Sequence, residues 1–476
     1  MRAGPHTDRD DSSIAIVGMS CRFAGCPDPA ALWDAVMEGR RMLTVPQDEA
    51  AMSYGERGIF GSAYPGGIGQ LGDLYSCRPS MQNFPRQVNS GENQDLYFAT
   101  QLAFDALADA SMRIHSPIRY RGSVHVGYAP PFNASTINWL QHTAFLDQTM
   151  EIMGRFMRGA SSAAMDNLRE KLVESLPEPN AASFLLGTGY RFASWIAREC
   201  SFSGAATVVD AGMLTGAAAL MQAIDDLRSG RVDVAMAGAL TPPFSRAYLE
   251  GLAGEVEFSP ERDLMPFSSS SAGTLPGEGG AFFVLKRRKD ALRDHDRIYA
   301  FVKSAAVGHN PPDDPSAMLS EALAAADAPA KTVQLVEACG TGIRETERRE
   351  VEGIARIWGE HKPGGPLVGI GSVMGNIGNT LRASMSAGVV KAALALWHKV
   401  LPPQVEVSEP GWGLSSVDSS AYLLLEPRPW ILGDGANPRR AVVTGANFDP
   451  VNPVGETDRG GRSAAIVLEE DAEGRT

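Results

Sequence analysis

The sequence predicts an α/β fold, and three observations carry that prediction. Short apolar segments alternate with stretches whose apolar residues recur at helical spacing, the pattern of strand–helix units packed in layers. Two such series of similar content follow one another along the chain. At 476 residues, with 44% hydrophobic and 21% charged content, the chain has the material for a large buried core. Length alone would suggest about three domains. No low-complexity stretch or clear linker divides the chain, however, and Pro/Gly-rich segments such as 363–366 are loop-sized.

In order, residues 13–17 form an apolar strand and 29–38 an amphipathic helix. Residues 93–110 place Phe98, Leu102, Ala106 and Leu107 on one face and predict a long helix. A buried strand follows at 124–128, then helical patches at 137–145 and 165–176 inside an otherwise irregular 131–180. Strand 206–209 runs through small residues into an alanine-rich helix at 215–227, and 233–237 is the next strand. The second series reads strand 281–285, strand 298–306, helix 316–326, strand 332–336, helix 346–357 and strand 368–370. Helix 381–397 and strands 421–425, 440–444 and 464–468 complete it.

The net charge of −13 argues against nucleic acid and anionic membrane surfaces as general partners. No run approaches the about 18 apolar residues of a membrane span. Residues 1–11 are polar, without an export signal, and read as a disordered leader; 471–476 read as a short tail. Five cysteines, an odd number, fit reduced thiols and a cytoplasmic location. Cys21 and Cys26 are read as loop residues with no His or second Cys pair nearby, so neither a metal nor a cofactor is expected.

The most informative segment is 207–216, Thr-Val-Val-Asp-Ala-Gly-Met-Leu-Thr-Gly. Strand, tight turn and helix N-terminus together expose one side chain and aim backbone N–H groups at it. An acyl-transfer enzyme would place Cys or Ser there, but here the residue is Met213, whose thioether cannot form a thioester.

Read with the helix that ends Leu227-Arg228-Ser229-Gly230, this segment resembles the active-site segment of β-ketoacyl synthases of the polyketide synthase type, Asp-Thr-Ala-Cys-Ser-Ser-Ser-Leu. Similar blocks run almost end to end. They include Ile14-Ala15-Ile16-Val17-Gly18-Met19-Ser20-Cys21-Arg22-Phe23, Gly277-Glu278-Gly279, Val336-Glu337-Ala338-Cys339-Gly340-Thr341-Gly342, and Gly375-Asn376-Ile377-Gly378-Asn379-Thr380. The resemblance implies the five-layered αβαβα thiolase-like fold with two pseudo-equivalent halves. These would be 12–290, with insertions, and 291–470.

Position by position, the resemblance also implies a lost active site. The family's nucleophilic cysteine falls on Met213, its first histidine (Val-Glu-Ala-His) on Cys339 and its second (Asn-Ile-Gly-His) on Asn379. The lysine that opens the second motif falls on Met374. A thioether cannot be acylated, a thiol is a poor substitute for an imidazole donor, and an amide cannot shuttle protons. None of the eight histidines lies in a ketosynthase motif. Glu278 keeps its Gly-Glu-Gly block and reads as a structural carboxylate; Thr341 and Phe448 are further pocket candidates. The family's Gly-Phe-Gly-Gly-Thr-Asn-Ala-His loop is replaced by a longer segment at 446–463, and its Asp-Pro-Gln-x-Arg segment is unrecognisable at 93–97.

These features imply a catalytically inactive homologue that pairs with an active ketosynthase, as a chain-length factor does. The pairing would use strands near 204–209, with Met213 and Met236 as apolar fillers, for which plain core packing is an equally good account. Two alternatives stay open at this point. One is an acyltransferase or hydrolase built on Cys339; the other is a homodimeric scaffold that binds acyl carrier protein or an acyl ligand. Arg228, Arg231, Arg287 and Arg288 are candidates for a basic patch facing an acidic carrier protein.

Overall fold

The computed structural model describes residues 12–45, 65–72, 94–113, 116–129, 139–176, 189–244, 246–359, 367–407, 409–414, 419–432, 437–447 and 461–472. The leader, most of the tail, Cys77, His6, His115, His361 and Phe448 lie outside them. Strands of the first series are β1 (Ile14–Phe23), β2 (Gly122–Gly127), β3 (Ala206–Val209), β4 (Val234–Thr241) and β5 (Gly279–Arg287). Those of the second are β6 (Ala300–Asn310), β7 (Leu335–Glu337), β8 (Val368–Gly371), β9 (Val400–Leu401), β10 (Ala421–Leu423), β11 (Arg428–Pro429), β12 (Arg440–Ala446) and β13 (Gly461–Glu469).

Helices of the first series are α1 (Pro29–Met37), α2 (Gln94–Asp109), α3 (Leu146–Phe156), α4 (Ser162–Ser175), α5 (Tyr190–Glu199), α6 (Thr215–Arg228) and α7 (Arg246–Ala253). Those of the second are α8 (Arg288–Arg293), α9 (Ala317–Ala325), α10 (Arg344–Trp358), α11 (Met374–Ile377) and α12 (Ser384–His398).

The strand order makes the duplication visible. The first half runs β1-β5-β4-β2-β3 and the second β6-β13-β12-β7-β8, with β10 added beyond β8. In both halves the first two neighbour pairs are antiparallel and the next two parallel. A short antiparallel pairing of β1 with β6, from Ile14↔Val302 to Ile16↔Ala300, joins the halves. β9 and β11 form a separate two-stranded ribbon.

Helices α6 and α12 fill the middle layer. Every residue of α12 from 384 to 396 is buried, because a sheet lies on each side and a helix apolar all round belongs in an interior. The two helices meet where a Cβ on Gly216 would fall 2.5 Å from Ser386 Oγ, so their small residues set the closeness of the halves. α2 and α5 cover the outer face of the first half, and α9 and α10 that of the second.

Three expectations are corrected. β1 runs on to Phe23, paired with β5 as far as Gly279, so Cys21 lies within a strand, and both Cys21 and Cys26 are buried. Gly18, at a register shift in that strand, has no room for a Cβ beneath Ala106 of α2. In 131–180, a π-turn (Gln141–Phe145) leads into α3 and the helix continues to Phe156; the second patch is α4. Met236 faces the outer helices, whereas Ala235 and Ala237 face the middle layer, since alternate strand residues point to opposite faces. It therefore belongs to the outer-layer core, whereas the Met213 carbonyl meets Ser384 of α12.

Candidate functional site: the nucleophile turn and its surroundings

The turn between β3 and α6 is built by short polar bonds. Gly212 sits at φ +63°, and its N–H donates to Asp210 Oδ1 at 3.1 Å. Thr215 Oγ1 accepts the Ala211 N–H at 2.8 Å and donates to the Gly212 carbonyl at 2.6 Å. Arg382 forks onto Asp210 at 3.0 and 3.2 Å and donates to the Tyr248 hydroxyl at 2.9 Å. Burial alone would raise the Asp210 pKa, but the bonds and charge from Arg382 outweigh it and hold this carboxyl below its usual range.

Met213 stands at the tip of the turn and is 3% exposed. Its N–H donates to Asn447 Oδ1 at 2.7 Å, and its carbonyl accepts from Ser384 Oγ at 3.1 Å. Asn447 Nδ2 in turn donates to the Ala211 carbonyl at 3.1 Å.

Cys339 follows β7 and is also buried. Its N–H donates to Glu350 Oε1 at 2.9 Å, and its carbonyl accepts from Ser372 Oγ at 3.0 Å. Burial, then the charge of Glu350, push its thiol far above the ordinary range, so it stays protonated. Beside it, Thr341 Oγ1 accepts the Ile343 N–H at 3.2 Å.

Met374, at the start of α11, receives the Thr380 hydroxyl on its sulfur at 3.9 Å. Asn379 is fully buried with its amide used at both ends: Nδ2 donates to Thr274 Oγ1 and Oδ1 accepts the Leu381 N–H, each at 3.0 Å. Glu278 accepts the N–H groups of Leu71 and Phe244, both at 2.9 Å, which accounts for a buried carboxylate without a reaction.

The fold brings Cys339 and Met374 onto one cavity with Glu337, Ser384, Met385 and Thr444. Met213 adjoins this space through its bond from Ser384, whereas Glu278 is engaged elsewhere. Among the described residues no cluster of His, Cys, Asp and Glu is arranged to hold a metal.

The residues missed from the sequence are charged and buried. Glu337 pairs with Lys391 at 2.7 Å, with side-chain exposures of 1% and 0%. Glu350 accepts from Cys339 and Gly340 and from the Thr444 hydroxyl; Glu347 accepts from Gly342 and Phe267. The spacing of Glu347 and Glu350 puts both on one face of α10, a signal present in 344–352 but hidden among exposed charges.

His125, on β2, is engaged by Asp226, Ser123 and Thr207. The four arginines offered as a candidate basic patch are each engaged within the chain, although Arg228 and Arg231 stay exposed. Arg287 binds Asp233 and Asp290, Arg231 binds Asp226, and Arg228 donates to the carbonyls of Ser12 and Lys303. Arg288 lies over the Phe301 ring. No described helix is long and apolar enough to cross a membrane.

Comparison with known proteins gives the family context. Residues 11–291 match the β-ketoacyl synthase N-terminal domain and residues 300–408 its C-terminal domain. The polyketide synthase GfsB of Streptomyces halstedii is 29% identical over 97% of this chain, and mycoketide-CoA synthase of Mycobacterium tuberculosis is 28% identical over 94%. The chain spans only 8% and 10% of the length of those two relatives. Among solved structures, the ketosynthase from module 6 of the Bacillus subtilis bacillaene synthase superposes with a TM-score of 0.71 at 22% identity, covering 96% of this chain and 72% of that one. The oxazolomycin ketosynthase domain OzmH KS7 of Streptomyces albus gives 0.73 at 23% identity, covering 96% and 75%.

Proposed function

The chain belongs to the β-ketoacyl synthase family, and from that premise we propose that it is a catalytically silent member serving polyketide- or fatty-acid-type biosynthesis as the chain-length-factor-like partner of an active ketosynthase. The observation that carries this reading is Met213 at the tip of an otherwise intact nucleophile turn. Condensation needs an acyl chain held on a thiolate and groups that stabilise an enolate as the malonyl unit loses CO2. The thioether cannot take the acyl group, and Cys339 and Asn379 supply no imidazole. What such a chain retains is the body of the fold and its pairing surface. In this role it helps to shape the partner's acyl tunnel and presents a face to acyl carrier protein.

Co-expression with a cysteine-bearing polyketide ketosynthase, followed by native mass spectrometry, tests the proposal. A one-to-one heterodimer is expected, with acyl mass on the partner only. A homodimer that ignores the ketosynthase, or acyl mass on this chain that disappears in a C339S variant, would overturn it.

A further inference from the structure

We propose that the side-chain amide of Asn447 occupies the oxyanion seat of the nucleophile turn, locking the site a second time, independently of the missing thiol. The inference deepens the reading of a silent ketosynthase-type site and rests on it. In acyl transfer the nucleophile residue's own backbone N–H can donate to the oxygen of the tetrahedral intermediate, at 2.7–3.1 Å. Here that N–H belongs to Met213, and Asn447 Oδ1 already lies 2.7 Å from it. An amide carbonyl thus stands where the carbonyl of an acyl group would bind.

The orientation of the amide follows from its partners. Nδ2 donates to the Ala211 carbonyl at 3.1 Å, so a flipped amide would set donor against donor and acceptor against acceptor. Asn447 is anchored from behind, its own N–H donating to the Arg462 carbonyl at 3.0 Å where β12 and β13 end their pairing. The lock therefore ties a turn of the first half to the sheet of the second.

Gly212 makes room for it. A Cβ built there would lie 2.7 Å from Asn447 Oδ1, closer than real Cβ contacts come, and a tight 3.2 Å from its Cγ and Nδ2. Gly212 and Asn447 are thus a coupled pair: the first lacks a side chain where the second inserts one.

The test restores a thiol and then removes the amide, using M213C and M213C/N447G, each in a C339S background. The probe is the hexanoyl thioester of N-acetylcysteamine. The introduced thiolate attacks the thioester carbonyl, the oxyanion collapses, the carbon–sulfur bond to N-acetylcysteamine breaks, and the departing thiolate takes up the proton lost by the thiol. Iodoacetamide alkylation of the same thiol, which develops no oxyanion, reports access alone. Peptide mass mapping reads both reactions at position 213.

Removing the amide should speed acyl transfer about a hundredfold, the usual worth of one oxyanion donor, and leave alkylation nearly unchanged. Equal acceleration of both reactions, or alkylation without faster acyl transfer, overturns the proposal. If the thiol reacts with neither reagent, hydrogen exchange decides. In the otherwise unaltered chain, N447G and G212A should each speed exchange of the Met213 amide about tenfold; unchanged exchange overturns it. Heterodimer formation by the unaltered chain is read separately, so failure here is distinguishable from failure of the partner role.

Discussion

Glu347 reaches across the loop after Cys339 to accept the Gly342 and Phe267 N–H groups at 2.8 and 3.1 Å, and burial pushes its carboxyl up to about 8. Its ordinary value is 4.5, so between the two the folded chain keeps a proton that the unfolded chain releases. The stabilising contribution is complete below the unfolded value and is lost as pH rises through the folded one. E347Q removes this titration. The urea-unfolding free energy of the native chain should exceed that of E347Q most near about pH 5, and the gap should narrow toward about pH 8; a constant gap would refute the assignment. At this scale the sequence was legible where a motif framed the residue. Met213, Cys339, Asn379 and Met374 stand inside recognisable blocks. Asn447 was not legible as a lock, because its partners are more than 230 residues away and only the packed halves bring them together.

At the scale of the elements, α12 carries a fully buried ionic contact. Lys391 lies wholly inside the middle layer, and its ammonium meets Glu337 of β7 at 2.7 Å. Each charge is tolerable only because the other is there. K391M should strand a buried carboxylate and cost about 3–5 kcal/mol by urea denaturation, while E337M/K391M should recover much of that loss. A single variant within about 1 kcal/mol of the native chain would contradict this. The middle helices α6 and α12 were readable from sequence because their alanine-rich, apolar character is local. α5 carried a similar signal in Phe192, Ala193, Ile196 and Ala197, all buried, but the irregular stretch before it masked the pattern. The far half of β1 was not readable, since Gly18, Ser20 and Arg22 are poor strand formers and the partner that holds them, β5, lies over 250 residues away.

Across the whole molecule, the repeated strand order exposes an asymmetry. The edge of the second half, β8, is covered by β10, whereas among the described residues no strand covers the equivalent edge, β3. All four β3 residues are only half-buried, and a bare edge is a template for pairing with another chain. The direction of its free groups can be worked out. Ala205 and Val209 turn their carbonyls to β2, accepting from Val124 at 2.8 Å and Tyr128 at 3.0 Å. With a period of two, the N–H groups of Ala206 and Val208 therefore face outward. V208P deletes one outward donor, leaves the β2 ladder intact and keeps an apolar side chain against the outer core. If the proposed ketosynthase partner pairs through this edge, V208P should weaken the proposed heterodimer at least about tenfold by native mass spectrometry while leaving the urea midpoint nearly unchanged. Undiminished pairing would move the interface elsewhere on the molecule. Loss of pairing together with a large fall in the midpoint would show that β3 matters to the fold of this chain rather than to its partner.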